Sequence, residues 1–482
     1  MTKPVENAWK NVRFTPARIE RPATVEEVQS IVNQARVSGQ KIKVIGGGHS
    51  MNDNFRTDGI LVDLSRLNRI LSVDPATGVA EVEAGVTLGD AIVEFANHKL
   101  HFPSLGSWHS QSIAGAIATS THGSSLSHGS LSDIVVEIEA VLADGKVHRF
   151  SGSGNEVRAM RCHLGLLGIL TKVKLKLSPA FCLSCAVTRH PAPWAFGQIL
   201  DTARSNEYVN MLWIPDLDMA CIRMLTSETP CPRNQVALDL EHRFVHRSML
   251  SFRIEDVGFF VAAHLYQLMP RRYGPRYCRF VQKAFFDDQG VIDNSYRVFL
   301  YDQYREPTEN NRLRMIMNVE YAFDVKDLAP VLMEMRARLQ ELRARGHYLN
   351  YPRVHVRFAP RSDATLTGLN ADRDTAYVGI YVLGSVRHKR QIPIALEIEE
   401  LFLRHGGRPH WGKYRYLTTR SFEDTYQGFA AFEAVRHKLD PDDMFSAKQD
   451  MFHGLNRFAR PERGAMLRSV FDPDEYQEIR LL

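Results

Sequence analysis

The sequence predicts an α+β protein with two domains and a C-terminal segment. The chain has 482 residues, 44% hydrophobic and 24% charged, which is typical of soluble proteins with well-formed cores and excludes a disordered or fibrous protein. Residues 18–180 alternate short β-rich runs with helical runs, and longer strand candidates follow from about residue 181. We therefore place the first domain at 1–180, the second at 181–420 and the C-terminal segment at 421–482.

The first domain begins with an amphipathic helix. Thr24 and Glu27 stand in capping-box spacing, apolar residues follow at helical period, and Gly39 is the stop signal. Thr87 opens a second predicted helix, TLGDAIVEFANHK. Turn residues separate the four predicted strands, which are KIKVI, GILVDL, RILSVD and VAEVEAG.

The second domain mixes long strands with helices. RVHVRFAP and TAYVGIYVLG are predicted strands, and LMEMRARLQELRARG is a predicted charged helix. The longest apolar stretch, VGFFVAAHLYQLM from Val257, is too short to span a bilayer. We predict a buried helix there, and a face lying on a membrane is the alternative.

Charge and cysteine content limit the partners. A net charge of +5 over the whole chain predicts neither nucleic acid nor membrane as a partner, and no basic stripe interleaved with aromatics is present. The N-terminus has no apolar signal-peptide region, so we expect a cytoplasmic protein. No second Cys-x-x-Cys pair completes a zinc site, and no metal site is predicted. We expect reduced thiols at all six cysteines: Cys162, Cys182, Cys185, Cys221, Cys231 and Cys278.

The stretch IGGGHSMND, residues 45–53, places three glycines between a predicted strand and His49. Such a loop lets backbone N–H groups approach a phosphate. The spacing differs from the Gly-x-Gly-x-x-Gly fingerprint of nicotinamide-dinucleotide sites, so a Rossmann site is not predicted. A tight turn at the strand end is the alternative.

Two further segments favour a large cofactor. Small residues dominate LGSWHSQSIAGAIATSTHGSSLSHGSLSD, which suits a backbone laid against a flat ligand better than a packed core. The segment HLGLLGILTKVKLKL adds Gly165 and Gly168 just before a strand. Three glycine-rich segments in one domain indicate one extended ligand.

In this order, PATVEEVQSIVNQARVSGQKIKVIGGGHS, SIAGAIATSTHG, LGLLGILTKV, RPHWGK and DPDDMF resemble the vanillyl-alcohol-oxidase (PCMH-type) FAD flavoproteins. Within that family the resemblance is strongest to the aldonolactone and alditol oxidases, which include gulonolactone oxidases, over about residues 10–180 and 350–455. It implies a two-subdomain FAD-binding domain and a substrate domain with a large antiparallel sheet flanked by helices. It also implies a C-terminal segment that returns to the FAD domain.

The resemblance also implies which residues bind FAD. Gly46, Gly47 and Gly48 would cradle the pyrophosphate, and His49 would be bonded covalently to the flavin 8α-methyl group. The alternative is that His49 only forms a hydrogen bond and FAD is bound noncovalently. The remaining cofactor-binding candidates are Ser50, Ser110, Ser112, Gly115, Thr119, His122, Gly123, Gly168, Ile169 and His410.

The candidate catalytic residues are Lys413, Arg357, His355 and Glu320. By resemblance, the Lys413 ammonium would lie beside the flavin and stabilise negative charge there. Arg357 matches the arginine of a Glu-x-Arg pair in relatives, but His355 replaces the glutamate. Gly379 and Tyr381 likewise differ from the alditol oxidases. For Glu320 we favour a salt-bridge or positioning role.

His355 is a candidate general base, and the alternative is a strand histidine hydrogen-bonded to a neighbour. As a base it would make flavin reduction rise with pH through one ionisation at about 6 to 7.5. Simple alditols are expected to be poor substrates because the glutamate is absent.

These features predict an FAD-dependent oxidoreductase that oxidises a hydroxyl-bearing carbon of a sugar-derived small molecule, an aldonolactone or a polyol. Reoxidation by O₂ or another acceptor would complete the cycle. The alternatives are a tailoring oxidase of another hydroxyl- or amino-bearing metabolite, a dehydrogenase with a non-oxygen acceptor, and a flavin-binding protein without turnover. The sequence leaves the substrate, the acceptor and the oligomeric state open.

Overall fold

A computed structural model describes residues 3–228, 249–285, 290, 292–299, 316–383, 388–415 and 425–446. The helices are α1 Val25–Ser38, α2 Leu88–Asn97, α3 Ile113–Ala118, α4 Asn155–Met160, α5 Ala192–Ser205, α6 Met249–Leu268, α7 Pro270–Phe285, α8 Ser295–Phe299, α9 Leu328–Ala344, α10 His388–Arg404 and α11 Phe429–Leu439.

The strands of the N-terminal half are β1 Val5–Glu6, β2 Arg13–Phe14, β3 Arg18–Glu20, β4 Ile42–Ile45, β5 Ile60–Asp63, β6 Ile70–Asp74, β7 Val79–Glu83, β8 Leu100–His101, β9 Val135–Val141, β10 Val147–Ser151, β11 Ile169–Lys176 and β12 Ser178–Pro179. The later strands are β13 Cys182–Pro191, β14 Tyr208–Ile214, β15 Met219–Glu228, β16 Ile292–Asn294, β17 Ile316–Asp324, β18 Tyr351–Ala359, β19 Thr375–Leu383 and β20 Arg408–Pro409.

The N-terminal half contains two main sheets. Strands β3-β5-β4 form a parallel sheet, and β10-β9-β11-β7-β6 form an antiparallel one. The predicted helix α1 is confirmed with its caps: Thr24 accepts from the Glu27 N–H at 3.3 Å, and Gly39 has a φ of 65°. Helix α2 begins as predicted, with Thr87 accepting from the Asp90 N–H at 3.1 Å. The four strands predicted from alternation are β4 to β7.

The later strands form one antiparallel sheet in the order β16-β13-β15-β14-β18-β19-β17-β20. Alternate residues point to opposite faces of a strand. Val354, Val356 and Phe358 therefore lie on one face, where they pack with residues of α5, α9 and α10 in an apolar core. His355 and Arg357 lie on the other face, which is turned toward the N-terminal half.

The segment 425–446 returns to the N-terminal half. The Ile42 N–H donates to the Met444 carbonyl at 2.8 Å, and Lys41 Nζ lies 2.7 Å from the Asp443 carbonyl. Helix α11 also packs on α4. The end of the described chain is therefore held beside the strand that leads into the three glycines.

Two sequence predictions need correction. The stretch from Val257 lies mostly in α6, but it is not a buried helix: Tyr266 is buried, whereas Val261, Leu268 and Met269 are 47%, 55% and 40% exposed. Only one side of α6 packs on the protein. In the described part of the chain, no helix is both long and apolar enough to cross a membrane.

The expectation of six reduced thiols is wrong for Cys182, which is disulfide-bonded. Disulfide formation depends on the distance between Cα atoms in the fold, which residue spacing does not show. Cys231 lies outside the described residues. The remaining cysteines are buried free thiols: Cys162, Cys185, Cys221 and Cys278.

Candidate active site

A cavity of about 1560 Å³, part of it open to solvent, lies between the N-terminal half and the large sheet. Its walls run from the glycine loop to Arg357 and Lys413, which suits an extended ligand. All three glycine-rich segments contribute to its wall. The predicted site residues that line it are Gly46, Gly47, Gly48, His49, Ser50, Ser112, Gly115, Thr119, His122, Gly168, Arg357, His410 and Lys413.

The close packing of the glycine loop requires residues without side chains. A Cβ atom at Gly46 would collide with Ser112 Oγ, and one at Gly47 would collide with the Ser110 carbonyl. Gly48 has a φ of 66°, in the left-handed region that favours glycine. The loop backbone therefore lies directly on the second glycine-rich segment and presents bare peptide groups to the cavity. This cradle fits a dinucleotide cofactor, whose pyrophosphate binds backbone N–H groups.

His49 sits among indole rings at the cavity wall. The His49 ring is stacked on Trp108 at 6.4 Å between ring centroids, and it is nearly perpendicular to the Trp9 ring at 6.3 Å between centroids. Trp9 Nε1 donates to the His49 carbonyl at 2.8 Å. Burial, helped by the charges of His109 and Lys413, lowers the pKa of His49 to about 4. His49 is therefore neutral at physiological pH, the form in which an imidazole nitrogen is a nucleophile.

A buried carboxylate organises the opposite end of the cavity. Glu320 Oε2 accepts from Arg357 Nη2 at 2.5 Å, and Glu320 Oε1 lies 3.2 Å from His122 Nε2. Burial by itself raises the pKa of Glu320, but the charges of Arg357 and Lys413 hold that pKa well below its usual value. Glu320 is therefore ionised. The missing side chain of Gly379 makes room for it, because a Cβ there would lie 3.2 Å from Glu320 Oε2.

His122 is held in one orientation. Its Nδ1 lies 2.9 Å from the Gly123 carbonyl, and its ring stacks on Tyr377 with 3.5 Å between centroids. A carbonyl can only accept, so Nδ1 carries a hydrogen and Nε2 faces the Glu320 carboxylate. Burial lowers the pKa of His122, which favours the neutral ring. In that state two acceptor atoms face each other across 3.2 Å.

His410 completes this cluster. Its Nδ1 accepts from the Gly412 N–H at 3.0 Å, and its Nε2 is 4.0 Å from Glu320 Oε1. Among the described residues, the side-chain ligand atoms of His122, Glu320 and His410 form a group within 4.8 Å of one another that has the composition of a metal site. Because Arg357 already neutralises the single carboxylate, a divalent cation would meet electrostatic repulsion there.

Lys413 reaches the cavity from the turn His410–Lys413. Its backbone N–H donates to the His410 carbonyl at 3.1 Å. Asn52 Nδ2 donates to the Trp411 carbonyl at 2.5 Å, which ties this turn to the segment after the glycine loop. Trp411 is fully buried. The Lys413 charge lowers the pKa of both His49 and Glu320, so the lysine is within electrostatic reach of both residues.

His355 does not line the cavity. It is buried, with Nδ1 3.4 Å from the Tyr381 hydroxyl. Burial and the charges of Arg357, Arg353 and Arg223 lower its pKa well below 6.5. This shift disfavours the expected ionisation of His355 between 6 and 7.5, because three guanidinium groups oppose a fourth positive charge.

We expect His355→Gln to leave the pH dependence of flavin reduction unchanged, because an imidazole whose pKa is held well below 6.5 contributes no ionisation near neutral pH. The anaerobic rate of flavin reduction, measured from pH 5 to pH 9 in both proteins, checks this. An ionisation present in wild type and absent from the variant would restore His355 as the base.

Three predicted cofactor residues are placed behind the cavity wall. Ser110 supplies a backbone hydrogen bond to His49, and the Gly123 carbonyl orients His122. Ile169 is fully buried at the start of β11. These three residues therefore support the wall instead of lining it.

Sequence reasoning missed several lining residues, among them Trp9, Lys43, Trp108, Asn318 and Arg353. The Arg353 guanidinium lies 3.9 Å above the Tyr381 ring and 4.6 Å from that of Tyr351. A register shift between Tyr351 and Val354 directs it there. Pro352, directly before the predicted strand RVHVRFAP and inside the observed β18, was the available signal, because proline inside a strand marks an irregularity.

Family comparisons cover both halves of the chain. Residues 16–151 match the family described as FAD binding domain, and residues 173–453 match the family described as D-arabinono-1,4-lactone oxidase. An L-gulono-1,4-lactone dehydrogenase of Mycobacterium tuberculosis (strain CDC 1551 / Oshkosh) is 27% identical over 443 residues, which cover 92% of this chain and 97% of that protein. An L-gulonolactone oxidase of Mus musculus is 28% identical, with 91% and 96% covered.

Solved structures share the fold. A cholesterol oxidase from B. sterolicum superimposes with a TM-score of 0.72 at 16% identity, covering 94% of this chain and 97% of that one. A chitooligosaccharide oxidase superimposes with a TM-score of 0.65 at 15% identity, covering 92% and 93%. The predicted PCMH-type α+β fold with a large antiparallel sheet is confirmed.

Proposed function

The chain belongs to the D-arabinono-1,4-lactone oxidase family, and from this membership we propose that it oxidises a hydroxyl-bearing carbon of a sugar lactone. It is an FAD-dependent oxidoreductase. One observation carries the proposal: a single cavity joins the glycine loop to the paired cations Arg357 and Lys413. The cofactor and a polar substrate can thus be held side by side.

The N-terminal wall would hold FAD. The backbone of Gly46 to Gly48 would bind the pyrophosphate, with the hydroxyls of Ser112 and Thr119 nearby. Trp108 and Trp9 would shield the flavin end from water. Bound FAD supplies the acceptor for the hydride that leaves the substrate carbon.

The sheet end would orient the substrate. Arg357, fixed by its 2.5 Å bond to Glu320, presents its remaining N–H groups to substrate oxygen atoms. The Lys413 ammonium supplies a second fixed positive charge that stabilises the negative charge formed in the transition state. Neither group has to reorganise during the reaction.

We place the proton acceptor at His122. This ring lines the cavity, and proton uptake at Nε2 turns its contact with Glu320 into a charge-assisted hydrogen bond. His122→Gln should therefore alter the pH dependence of flavin reduction that His355→Gln leaves intact. Identical profiles in wild type and His122→Gln would exclude His122 as the acceptor.

We propose that FAD is attached covalently through His49. The neutral ring beside Trp108 supports this, because an uncharged imidazole can act as the nucleophile. Acid precipitation of the yellow protein should give a pellet with flavin fluorescence, and His49→Ala should release its flavin into the supernatant. Because His109 also lies nearby, His109→Ala is the matched control and should keep its flavin in the pellet. A colourless wild-type pellet would mean noncovalent binding.

The proposed activity is tested by anaerobic bleaching of the flavin with aldonolactones, alditols and amino sugars. Rapid bleaching by an aldonolactone, with simple alditols such as xylitol slow, is the expected result. Bleaching only by amino sugars would indicate a tailoring oxidase, and no bleaching would indicate a protein without turnover. An oxygen electrode then distinguishes O₂, the acceptor we propose, from an artificial dye.

We propose a cytoplasmic location for the enzyme.

A further inference from the structure

The wall of the cavity carries positive charge. Among the described residues that line it, four are lysines or arginines and none is an aspartate or a glutamate. These four residues are Lys43, Arg353, Arg357 and Lys413. A cavity lined by charges of one sign attracts ligands of the opposite sign.

Three of the four cations already have a place in the proposed function. Lys43 belongs to β4, which leads into the glycine loop and so toward the negatively charged pyrophosphate. Arg357 is held by Glu320 at 2.5 Å and faces the substrate oxygen atoms, and Lys413 would stabilise the transition state. The fourth cation, Arg353, has no role in that scheme.

Arg353 is fixed in place by aromatic rings. Its side chain is buried, and the guanidinium carbon lies 3.9 Å from the centroid of the Tyr381 ring and 4.6 Å from that of Tyr351. The rings contact the face of the guanidinium, whereas its N–H groups point outward in its plane. A guanidinium has five such N–H groups, so it can bind an anion while it keeps its other contacts. Arg353 is therefore an oriented donor at the cavity wall.

The electrostatic potential around Arg353 also favours an anion. His355, two residues along the same strand, reports that potential. Burial and the charges of Arg357, Arg353 and Arg223 lower the pKa of His355 well below 6.5, whereas the Glu320 charge acts in the opposite direction. The positive charges outweigh the carboxylate, so a negatively charged group is stabilised at this end of the cavity.

We propose that the sugar lactone carries an anionic group, a carboxylate or a phosphate, and that Arg353 binds this group. This assignment rests on the proposed lactone oxidation and names its substrate class. Two oxygen atoms of either group match the fork of N–H donors on one guanidinium. A neutral hydroxyl group would also accept a hydrogen bond there, but charge-assisted hydrogen bonds are about twice as strong.

Arg353 and Arg357 would hold different parts of the substrate. Arg353 precedes Arg357 by four residues on β18, and both line the cavity. Successive residues of a strand are more than about 3 Å apart, so the two guanidiniums are separated along the wall. Arg357 would orient the oxygen at the carbon that is oxidised. Arg353 would hold the anionic group away from that carbon, and the anionic group is unchanged by the reaction.

Two lactones that differ in one group test the proposal with the holoenzyme. D-Glucaro-1,4-lactone carries a carboxylate where D-glucono-1,4-lactone carries a hydroxymethyl group. The measurement is the anaerobic rate of flavin reduction as a function of lactone concentration. We expect the ratio of the reduction rate to the apparent dissociation constant to be roughly 10- to 100-fold higher for the carboxylate lactone, the usual effect of a hydrogen bond to a charged group.

A second pair distinguishes the two kinds of anion. D-Glucono-1,5-lactone 6-phosphate is compared with D-glucono-1,5-lactone in the same measurement. The pair that shows the larger ratio identifies the anionic group as a carboxylate or a phosphate. Either result supports the proposal.

Substitution of Arg353 should remove the preference. In Arg353→Gln, the apparent dissociation constant of the preferred anionic lactone should rise roughly 10- to 100-fold, and that of its neutral counterpart should change by less than about threefold. Arg353→Lys keeps the charge without the fork of donors and should regain part of the preference. The matched control is Arg272→Gln, which removes an exposed guanidinium 5.5 Å from the centroid of the Tyr273 ring and should keep the full preference. Wild-type flavin absorbance in each variant excludes loss of the cofactor.

Three outcomes would overturn the proposal. If the neutral lactones reduce the flavin at least as well as the anionic ones, the proposed lactone oxidation stands and the anionic substrate class is wrong. If no lactone of either kind reduces the flavin, both proposals are wrong. If Arg353→Gln keeps the full anionic preference, the anion is not bound by Arg353.

Discussion

Replacing Lys413 with methionine is expected to slow flavin reduction by a factor on the order of 10²–10³, the usual effect of losing one well-placed electrostatic group. The lysine lines the cavity, and its charge lowers the pKa of His49 at one end and of Glu320 at the other. Methionine keeps the volume and removes the charge. The measurement is the anaerobic stopped-flow rate at saturating substrate.

The control for Lys413→Met is Lys438→Met, which removes an exposed lysine paired with Glu156. That variant should reduce its flavin as wild type does. Flavin content should change little in Lys413→Met, because the glycine loop that would hold the pyrophosphate is untouched. A reduction rate within about threefold of wild type would show that Lys413 lies near the reacting atoms without stabilising the transition state. Losing one electrostatic donor normally lowers the rate by far more.

Replacing Arg357 with methionine is expected to destabilise the protein by about 3–5 kcal/mol and to abolish turnover. The variant leaves Glu320 ionised and buried without its 2.5 Å partner. The double variant Arg357→Met with Glu320→Gln removes both charges and should regain most of the stability, because no uncompensated charge remains buried. It should not regain turnover. The free energy of unfolding from urea titration checks both expectations.

The loss of folding stability in Arg357→Met should depend on pH, and the direction of that dependence follows from the pKa of Glu320. In wild type, the pKa of Glu320 is lower in the folded than in the unfolded protein, so its contribution to stability is present above about pH 4.3 and is lost as pH falls through the folded pKa. In Arg357→Met, burial raises that pKa toward or above the unfolded value. The stability gap between the two proteins should therefore narrow on acidification. A gap that stays constant from pH 7 to pH 4 would mean that Arg357 acts by packing alone.

The glycine loop and the small-residue segment show which structural features a local sequence pattern can predict. Three consecutive glycines before His49 indicated a bare backbone at a ligand, and the structure shows the contact with Ser110 and Ser112 that requires it. The capping residue Thr24 and the stop at Gly39 were also found correctly. The helix caps depend on neighbours within a few residues and are encoded locally, whereas the contact that requires the glycines comes from a distant segment of the chain.

The sequence by itself determined α1, the start of α2, strands β4 to β7, the bare glycine loop, the family resemblance and part of the cavity lining. Only the tertiary structure decided that Glu320 pairs with Arg357 and His122, which lie 37 and 198 residues away along the chain. It also decided that His355 is neutral and that Cys182 is bridged. The physical reason is that protonation and pairing depend on desolvation and on charges brought together from distant segments, which no local pattern specifies.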